Sequence, residues 1–531
     1  MKKNSASKTR LGPANRDARH LAKEPLLTQA ASFVELFVWL LVLKSFFLPL
    51  FIIPTGSMAE TLAGAHADYT CPNCGYEYQV GFHEAQGPTV IQCPNCRYQL
   101  LTRQARLDGV KLINKAGDRI IVHGWPYDIG SWFAPHRWDV VVFKNPNDPD
   151  VNFIKRLIGL PGETIEIIDG DIFVRGKDEA EVHPARKTVH AQRALWFPYF
   201  DQDYPPKAPT RDGAARLLQL SHPRWPDYHP HWVATTPSSA WKDLETRTPS
   251  FPGRESGRDE IVFASHDQPK EIGEILDVYG YNNIGAFYNN VTDVRVSTDV
   301  HLTDGSGYLE LIVSKYDNVF FARLYADGHV TLERAVLGSD DREAWGEVRI
   351  ELPDRGVNFA LGHADYHVAV EIDGQTLLES TAEQYPITAK QAKENSHKPL
   401  PSIIRLAAQQ VNAQLAHLRI ERDVYYTSGN LREGMTQPGT GTQDHPITLR
   451  DDAYFVCGDN SPGSHDSRAW SESTLGPHLR QAYEAHTYDL GTVPADQMIG
   501  RAFFVYWPGF MPFTEKGPNL LPDFGRIRWI N

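Results

Sequence analysis

Cysteine and methionine are scarce, five of each in 531 residues. So few thiols exclude a disulfide-dense secreted scaffold. A basic surplus is missing as well: 53 Lys and Arg stand against 66 Asp and Glu, a formal charge of −13. That balance argues against a nucleic-acid-binding protein, which needs cationic surface to displace phosphate counterions. Long apolar runs are nearly absent. A mean hydropathy of −0.40 excludes a polytopic membrane protein and leaves room for one span. The chain is not compositionally disordered either, because 41% hydrophobic and 22% charged residues can bury cores. Its length suggests two to four domains.

The one long apolar run covers residues 32–53, SFVELFVWLLVLKSFFLPLFII, with only Glu35 and Lys44 charged. As a continuous helix rising 1.5 Å per residue it would cross a hydrocarbon core of about 30 Å. A buried core helix is the alternative. A removable leader fits less well, since the run is long and no A-x-A site follows it. Lys2, Lys3, Lys8, Arg10, Arg16, Arg19 and Lys23 precede the run, opposed only by Asp17 and Glu24. This local basic excess predicts a cytoplasmic tail at 1–31, a single transmembrane helix at 32–53 and an extracytoplasmic body.

Four cysteines follow as Cys71-Pro-Asn-Cys74 and Cys93-Pro-Asn-Cys96. Two C-x-x-C knuckles at this spacing can hold one zinc ion tetrahedrally. Short alternating strands flank them, at Tyr76, Tyr78 and Val80 and at Tyr98 and Leu100. The module at 68–102 resembles a rubredoxin-like zinc ribbon. A pair of disulfides is the competing reading in an oxidising compartment. In either form the module is structural, because four protein ligands leave no open metal position.

From Gly117 onward the pattern is mainly β. DRIIVH (118–123), DVVVFK (139–144), 151–158 and 164–174 are apolar or alternating runs punctuated by Gly and Pro. ETIEIIDGDIFVRG reads as a hairpin turning at Asp169-Gly170. Residues 178–257 are rich in Pro, Trp and His and read as an irregular linking region. Alternation returns over 258–425, in YLELIVSKY (308–316), VFFARLYA (319–326), EVRIEL (347–352), YHVAVEIDG (366–374) and AHLRIER (416–422). That spacing predicts an antiparallel β-sandwich. The run YHVAVEIDGQTLLES resembles late strands of concanavalin- or laminin-G-like jelly rolls. Such a domain could bind carbohydrate or protein, or serve as packing alone.

Three short stretches carry chemistry. Pro54-Thr55-Gly56-Ser57-Met58 places a serine just after the apolar run, on a turn that Gly56 would keep tight. Phe153-Ile154-Lys155-Arg156-Leu157-Ile158-Gly159-Leu160-Pro161-Gly162-Glu163 sets Lys155 inside an apolar strand. Burial there disfavours the ammonium and can make a general base of it. The alternative is an edge lysine that snorkels to solvent. The third stretch, Gly458-Asp459-Asn460-Ser461-Pro462-Gly463-Ser464-His465-Asp466-Ser467-Arg468, is dense in turn and hydrogen-bonding residues and suits a rigid buttress.

In their order, PTGSM, GDRIIV (117–122), KRLIGLPGE (155–163), GDNSPGSHDSR (458–468) and the closing GRAFFVYWP (500–508) resemble the boxes of bacterial type I signal peptidase. The resemblance covers roughly 54–64, 117–177 and 446–531. It implies a β catalytic core built from 54–67, 103–177 and 446–531, with ribbon and sandwich as insertions. The reaction it implies is endoproteolysis by a Ser/Lys dyad that needs no cofactor, the zinc being structural. Ser57 matches the nucleophile and Lys155 the general base. The Thr55 hydroxyl and the Ser57 N–H match the oxyanion hole. Ser464 matches a serine that orients the lysine, and Asp466 with Arg468 matches a buttressing salt bridge. Ile53, Pro54, Met58, Leu62, Phe153 and Ile154 match positions lining shallow pockets for small residues at −1 and −3 of a signal peptide.

The implied partners are secretory preproteins and the lipid bilayer of the inner membrane. Two residues depart from the family pattern: Thr55 stands where Ser is usual, and Ser461 where Arg follows GDN. Cys457, the fifth cysteine, reads as a packing residue. Rival readings are a Ser/Lys protease of another pathway, a tethered binding protein with a decayed peptidase core, and a Ser–His–Asp hydrolase using His465.

Overall fold

The computed structural model describes residues 26–42, 44, 47–81, 90–101, 114–124, 134–207, 231–253, 255, 257–264, 275–282, 289–398, 400, 402–428, 438–507, 510–512, 519–522 and 524–530. The basic tail expected at 1–31 lies outside them up to residue 25.

The apolar run is not one helix. A helix covers Leu26–Val42, and Leu50–Ile52 is a strand paired antiparallel with Arg119–Ile121. The expected transmembrane helix at 32–53 is corrected accordingly. Pro49 has no N–H to continue a helix, and Leu50–Ile52 instead satisfies its backbone on a sheet edge. Among the described residues no helix is long and apolar enough to cross a membrane. Helix side chains Phe33, Val34, Leu36, Phe37 and Trp39 are all exposed.

The strands that carry the serine and lysine stretches belong to an eight-stranded antiparallel sheet. In spatial order it runs Leu50–Ile52, Arg119–His123, Met498–Trp507, Val140–Asn145, Asp148–Gly159, Ala453–Cys457 and Val493–Pro494, with Arg528–Trp529 joining Met498–Trp507. Alternation explains the outer strands: in RIIVH, Ile120 and Val122 are buried and their neighbours are not. Asp148–Gly159 is different. Its last six residues, IKRLIG, are all buried, so both faces are covered there, and the two cations in that stretch are buried with it. Beside this sheet, Thr164–Ile168 and Asp171–Arg175 form the expected hairpin with Ile168 opposite Asp171. Asp169 and Gly170 turn it at φ 49° and 89°, both left-handed as a type I′ turn requires.

A twelve-stranded antiparallel sheet network holds the largest apolar cluster, around Phe200, Phe251, Leu311, Phe320, Phe359 and Leu406. Its spine is two long strands, Val294–Lys315 and Ile404–Arg422, paired from Val294 opposite Arg422 to Val313 opposite Ile404. The expected runs at 308–316, 319–326, 366–374 and 416–422 fall on strands. The run at 347–352 is displaced: the strand is Glu343–Arg349.

The region read as irregular, 178–257, is corrected in part. It supplies a helix, Val189–Leu195, N-capped by Thr188, and the strands Phe197–Asp201, His231–Ala234 and Ser250–Pro252. Two of these strands pair with Ile404–Arg422. They are three to five residues long, too short for periodicity to register, and prolines interrupt them. Pro198 sits at a register shift, where a missing N–H costs no ladder bond.

The cysteine module consists of two hairpins, His66–Thr70 with Glu77–Gly81 and Val90–Gln92 with Gln99–Leu101. Each knuckle closes in the same way: Cys71 N–H donates to Tyr76 O, and Cys93 N–H to Tyr98 O, both at 2.9 Å.

Candidate active site

Ser57 lies on the turn that follows the Leu50–Ile52 strand and is half-buried. Asp118 anchors this turn at both ends. Ile53 N–H donates to Asp118 O at 2.9 Å, and Ala63 N–H donates to the Asp118 carboxylate at 3.0 Å. Gly56 is required for a reason other than turn geometry. Its φ is not positive, but a Cβ there would stand 1.9 Å from Cε1 of Tyr281. The glycine makes room for a ring.

Lys155 stands on Asp148–Gly159 opposite Val141 and is 3% exposed. Its Nζ donates to Ser57 Oγ at 2.8 Å and to Ile154 O at 3.0 Å. The Phe153 ring centroid is 5.0 Å from Nζ. Burial pulls the ammonium down from 10.5 to about 8, against the charges of Asp466 and Asp459, which pull it up. A lysine so placed is substantially neutral just above neutral pH and can take the serine proton.

The third stretch wraps this pair. Asp466 and Arg468 form a fully buried salt bridge at 2.7 Å. Burial works against the Asp466 carboxyl, but the Arg468 guanidinium outweighs it and holds the acid below its usual range. Asp466 also accepts from Gly458 N–H at 2.8 Å. Ser461, where the family has arginine, is not idle: its Oγ accepts from Arg468 at 2.7 Å and from Thr427 N–H at 2.8 Å. Ser464 is buried with its Oγ beside Asp466, helping to keep that carboxylate ionised. Among the described residues its Oγ has no hydrogen-bond partner of good geometry, Lys155 included. Cys457 is fully buried, which pushes its thiol up.

The expected pocket residues divide. Ile53, Met58, Leu62 and Ile154 are buried in one apolar cluster with Ile120 and Val142. Phe153 is half-buried against a neighbouring cluster, and Pro54 and Thr55 are exposed. Met58 and Leu62 have no exposed surface, so they shape the ground beneath Ser57 rather than an open groove. His465 contacts Asn147 Nδ2 at 3.2 Å, whereas Ser57 Oγ is held by Lys155. The geometry favours the lysine as base.

Sequence reasoning passed over two groups in the same buried layer. Arg156, next to Lys155, makes a two-pronged ion pair with Asp459 at 2.8 and 2.7 Å, both side chains fully buried. Asn460 holds the serine turn, donating from its side chain to Gly56 O at 2.8 Å and from its backbone to Ser57 O at 3.1 Å. A signal for the first was present. A second cation in an apolar strand needs a buried acid, and the GDN stretch offers one.

The four ribbon cysteines are buried, unbridged and mutually close, with Cys71 Sγ 3.6 Å from Cys96 Sγ and Cys74 Sγ 3.6 Å from Cys93 Sγ. A disulfide would bring sulfurs to about 2.05 Å. Four thiolates each 2.3 Å from one zinc would stand about 3.8 Å apart at the corners of a tetrahedron. The observed spacing suits a metal. A second set of acids, Asp171, Asp293 and Asp365, also converges, but Lys315 bridges Asp171 and Asp293, and Lys187 binds Asp365. Ammonium groups occupy the place a cation would take.

Compared with known families, the chain matches Signal peptidase, peptidase S26, over residues 109–208 and 369–507. Signal peptidase I of Pseudomonas fluorescens is 31% identical over 163 residues, covering 30% of this chain and 42% of that protein. Signal peptidase I of Rickettsia akari is 56% identical over 50 residues, 9% of this chain and 19% of that protein. The chain thus spans less than half the length of these curated relatives. Among solved structures, a carbohydrate-binding module CBM66 from Bacillus subtilis is 12% identical at a TM-score of 0.24, covering 36% of this chain and 95% of that one. A Bacillus licheniformis β-glucanase is 8% identical at 0.24, covering 36% and 92%. These two likenesses are too low to assign a fold or a ligand. The family match and the relatives show that the chain is similar to signal peptidases of the peptidase S26 family over these residues.

Proposed function

We propose that the chain is a membrane-associated serine endopeptidase that removes signal peptides from translocated preproteins through a Ser57/Lys155 dyad. The observation that carries this is the 2.8 Å contact between Ser57 Oγ and the Nζ of a buried Lys155. Neutral Lys155 takes the Ser57 proton as Oγ attacks the scissile carbonyl. The tetrahedral oxyanion is held by the Ser57 N–H and the Thr55 hydroxyl. Lys155 then gives its proton to the leaving amine, and the C–N bond breaks to leave an acyl-enzyme. Water, deprotonated by Lys155, releases the signal peptide and restores Ser57. Asp466, Arg468 and Ser464 hold the wall behind the lysine. The cleft would take small residues at −1 and −3 over Ile53, Pro54, Ile154 and Phe153, with the extended substrate added as a strand.

The exposed apolar side chains from Phe33 to Leu41 of the first helix, together with exposed Leu50, Ile52, Phe524 and Trp529, support attachment to a lipid surface. In this reading the amino terminus is cytoplasmic, and Ser57 stands where a translocated cleavage site emerges. Cys71, Cys74, Cys93 and Cys96 would hold one structural Zn2+ outside the reaction.

The test is cleavage of a preprotein bearing an A-x-A site by wild type, Ser57→Ala, Lys155→Ala and His465→Ala side by side. The first two substitutions abolish cleavage and the third retains most of it. A Lys155→Ala enzyme with normal rate, or a folded but inactive His465→Ala enzyme, overturns the dyad.

A further inference from the structure

Between the two halves of the central sheet the chain makes a long excursion, and one stretch of it, residues 277–282, returns to the serine turn. Tyr279 is buried and its hydroxyl donates to Asp459 O at 3.1 Å. The Tyr281 ring fills the space left by Gly56, its hydroxyl donates to Ala65 O at 2.8 Å, and its carbonyl accepts from Gly81 N–H of the ribbon at 2.9 Å. Asn282 forms a reciprocal amide pair with Asn460. Its Nδ2 donates to Asn460 Oδ1 at 2.6 Å, and Asn460 Nδ2 donates to Asn282 Oδ1 at 2.8 Å. The same Asn460 Nδ2 donates to Gly56 O at 2.8 Å.

Gly56 C=O and Ser57 N–H belong to one planar trans peptide and point in opposite directions. A donor fixed on Gly56 O therefore fixes where the Ser57 N–H points, and polarises it. Among the described residues that N–H donates to no protein group, so it stands open to an oxyanion. Asn460 can keep its donor on Gly56 only while its carboxamide is held in one orientation, because its terminal torsion is otherwise broad and two-fold. Asn282 occupies the other edge of that carboxamide and sets the orientation.

We propose that Asn282 is a positioning residue for the oxyanion hole: it acts through Asn460 and the Gly56–Ser57 peptide to aim the Ser57 N–H. The inserted segment is then part of the catalytic architecture. This rests on the serine-peptidase reading above.

The experiment compares wild type, Ser57→Ala, Asn282→Ala, Asn460→Ala and the Asn282→Ala/Asn460→Ala double variant on a signal-peptide substrate. Binding of a peptide boronate, whose tetrahedral adduct on Ser57 puts an oxygen in the hole, is measured in parallel. Asn282→Ala lowers kcat by about 10- to 100-fold, less than loss of an oxyanion donor, with KM within about two-fold of wild type. Boronate affinity falls by the same factor as kcat/KM, while the pH midpoint of the rate, set by Lys155, stays. In the double variant the two losses do not add, as expected for residues acting in one chain. Asn282→Leu, close to Asn in size, repeats the measurement where truncation unfolds the segment.

An unchanged kcat, a loss confined to KM, or full additivity with Asn460→Ala overturns the proposal. A wild type whose cleavage does not need Ser57 removes the peptidase reading and this inference together. A Ser57-dependent wild type matched by Asn282→Ala removes the inference alone.

Discussion

Replacing Lys155 by methionine, similar in length but uncharged, separates what the buried lysine does for catalysis from what it costs the fold. Lys155 titrates at about 8 in the folded chain against 10.5 ordinarily, because burial penalises its charge. At about 1.4 kcal/mol per pH unit, the charged form costs the fold about 3 kcal/mol. The unfolded chain binds this proton more tightly than the folded one. The cost is therefore fully present below pH 8, and stability recovers as pH rises from about 8 towards 10.5. Methionine also gives up the hydrogen bonds to Ser57 Oγ and Ile154 O, worth about 1 kcal/mol each and independent of pH. At pH 7 Lys155→Met is thus inactive yet more stable than wild type by about 1–2 kcal/mol. By pH 10.5 the order reverses, a swing of about 3 kcal/mol.

Hydrogen exchange across residues 140–159 reads this locally, on the sheet that carries the lysine. On the proposed dyad the same group sets the rate, so wild-type cleavage at pH 7 runs at about a tenth of its alkaline plateau and is half-maximal near pH 8. A stability difference that stays flat between pH 7 and 10.5 refutes the buried-base argument, whatever the activity of the variant.

Four further outcomes follow from named contacts. Asp459→Asn strands the buried Arg156 guanidinium and lowers stability by about 3–5 kcal/mol, read by chemical unfolding. Gly56→Ala drives a Cβ into Tyr281 and cuts cleavage, and Tyr281→Ala added to it restores part of the rate; absence of rescue refutes the ring-clearance explanation. Metal analysis of purified protein finds about one zinc per chain, and stripping it exposes the four ribbon thiols to labelling; a metal-free protein resistant to labelling contradicts the assignment. The full chain floats with phospholipid vesicles whereas a chain lacking residues 26–42 does not, which checks the exposed apolar helix as the attachment.

The boxes were legible because chemistry constrains them locally. FIKRLIG by itself left Lys155 as either a buried base or an edge lysine reaching solvent, and the order of the boxes chose between them; CPNC twice over leaves little but a metal or a disulfide. The Asp169-Gly170 turn was equally plain, since two left-handed residues in a row select that dipeptide. The apolar run at 32–53 misled because hydropathy does not see sheet edges. Its last residues are as apolar as its first, but Pro49 and the unpaired edge of Arg119–His123 make Leu50–Ile52 a strand. The strands within 178–257 were hidden by brevity, and two of the three have their partner far along the chain in Ile404–Arg422.

The order of the boxes, by its resemblance to signal peptidase, pointed to Ser57, Lys155 and the Asp466–Arg468 pair, and the two C-x-x-C knuckles pointed to the four thiols; the structure brings Lys155 to Ser57 and Asp466 to Arg468. Only tertiary structure brought Tyr281 to Gly56, Asn282 to Asn460, and Arg156 to Asp459. The separation is 178 residues between Asn282 and Asn460 and 303 between Arg156 and Asp459. No local pattern records them, because they hold by complementarity of shape and hydrogen bonding across the folded core rather than by anything the neighbouring residues prefer.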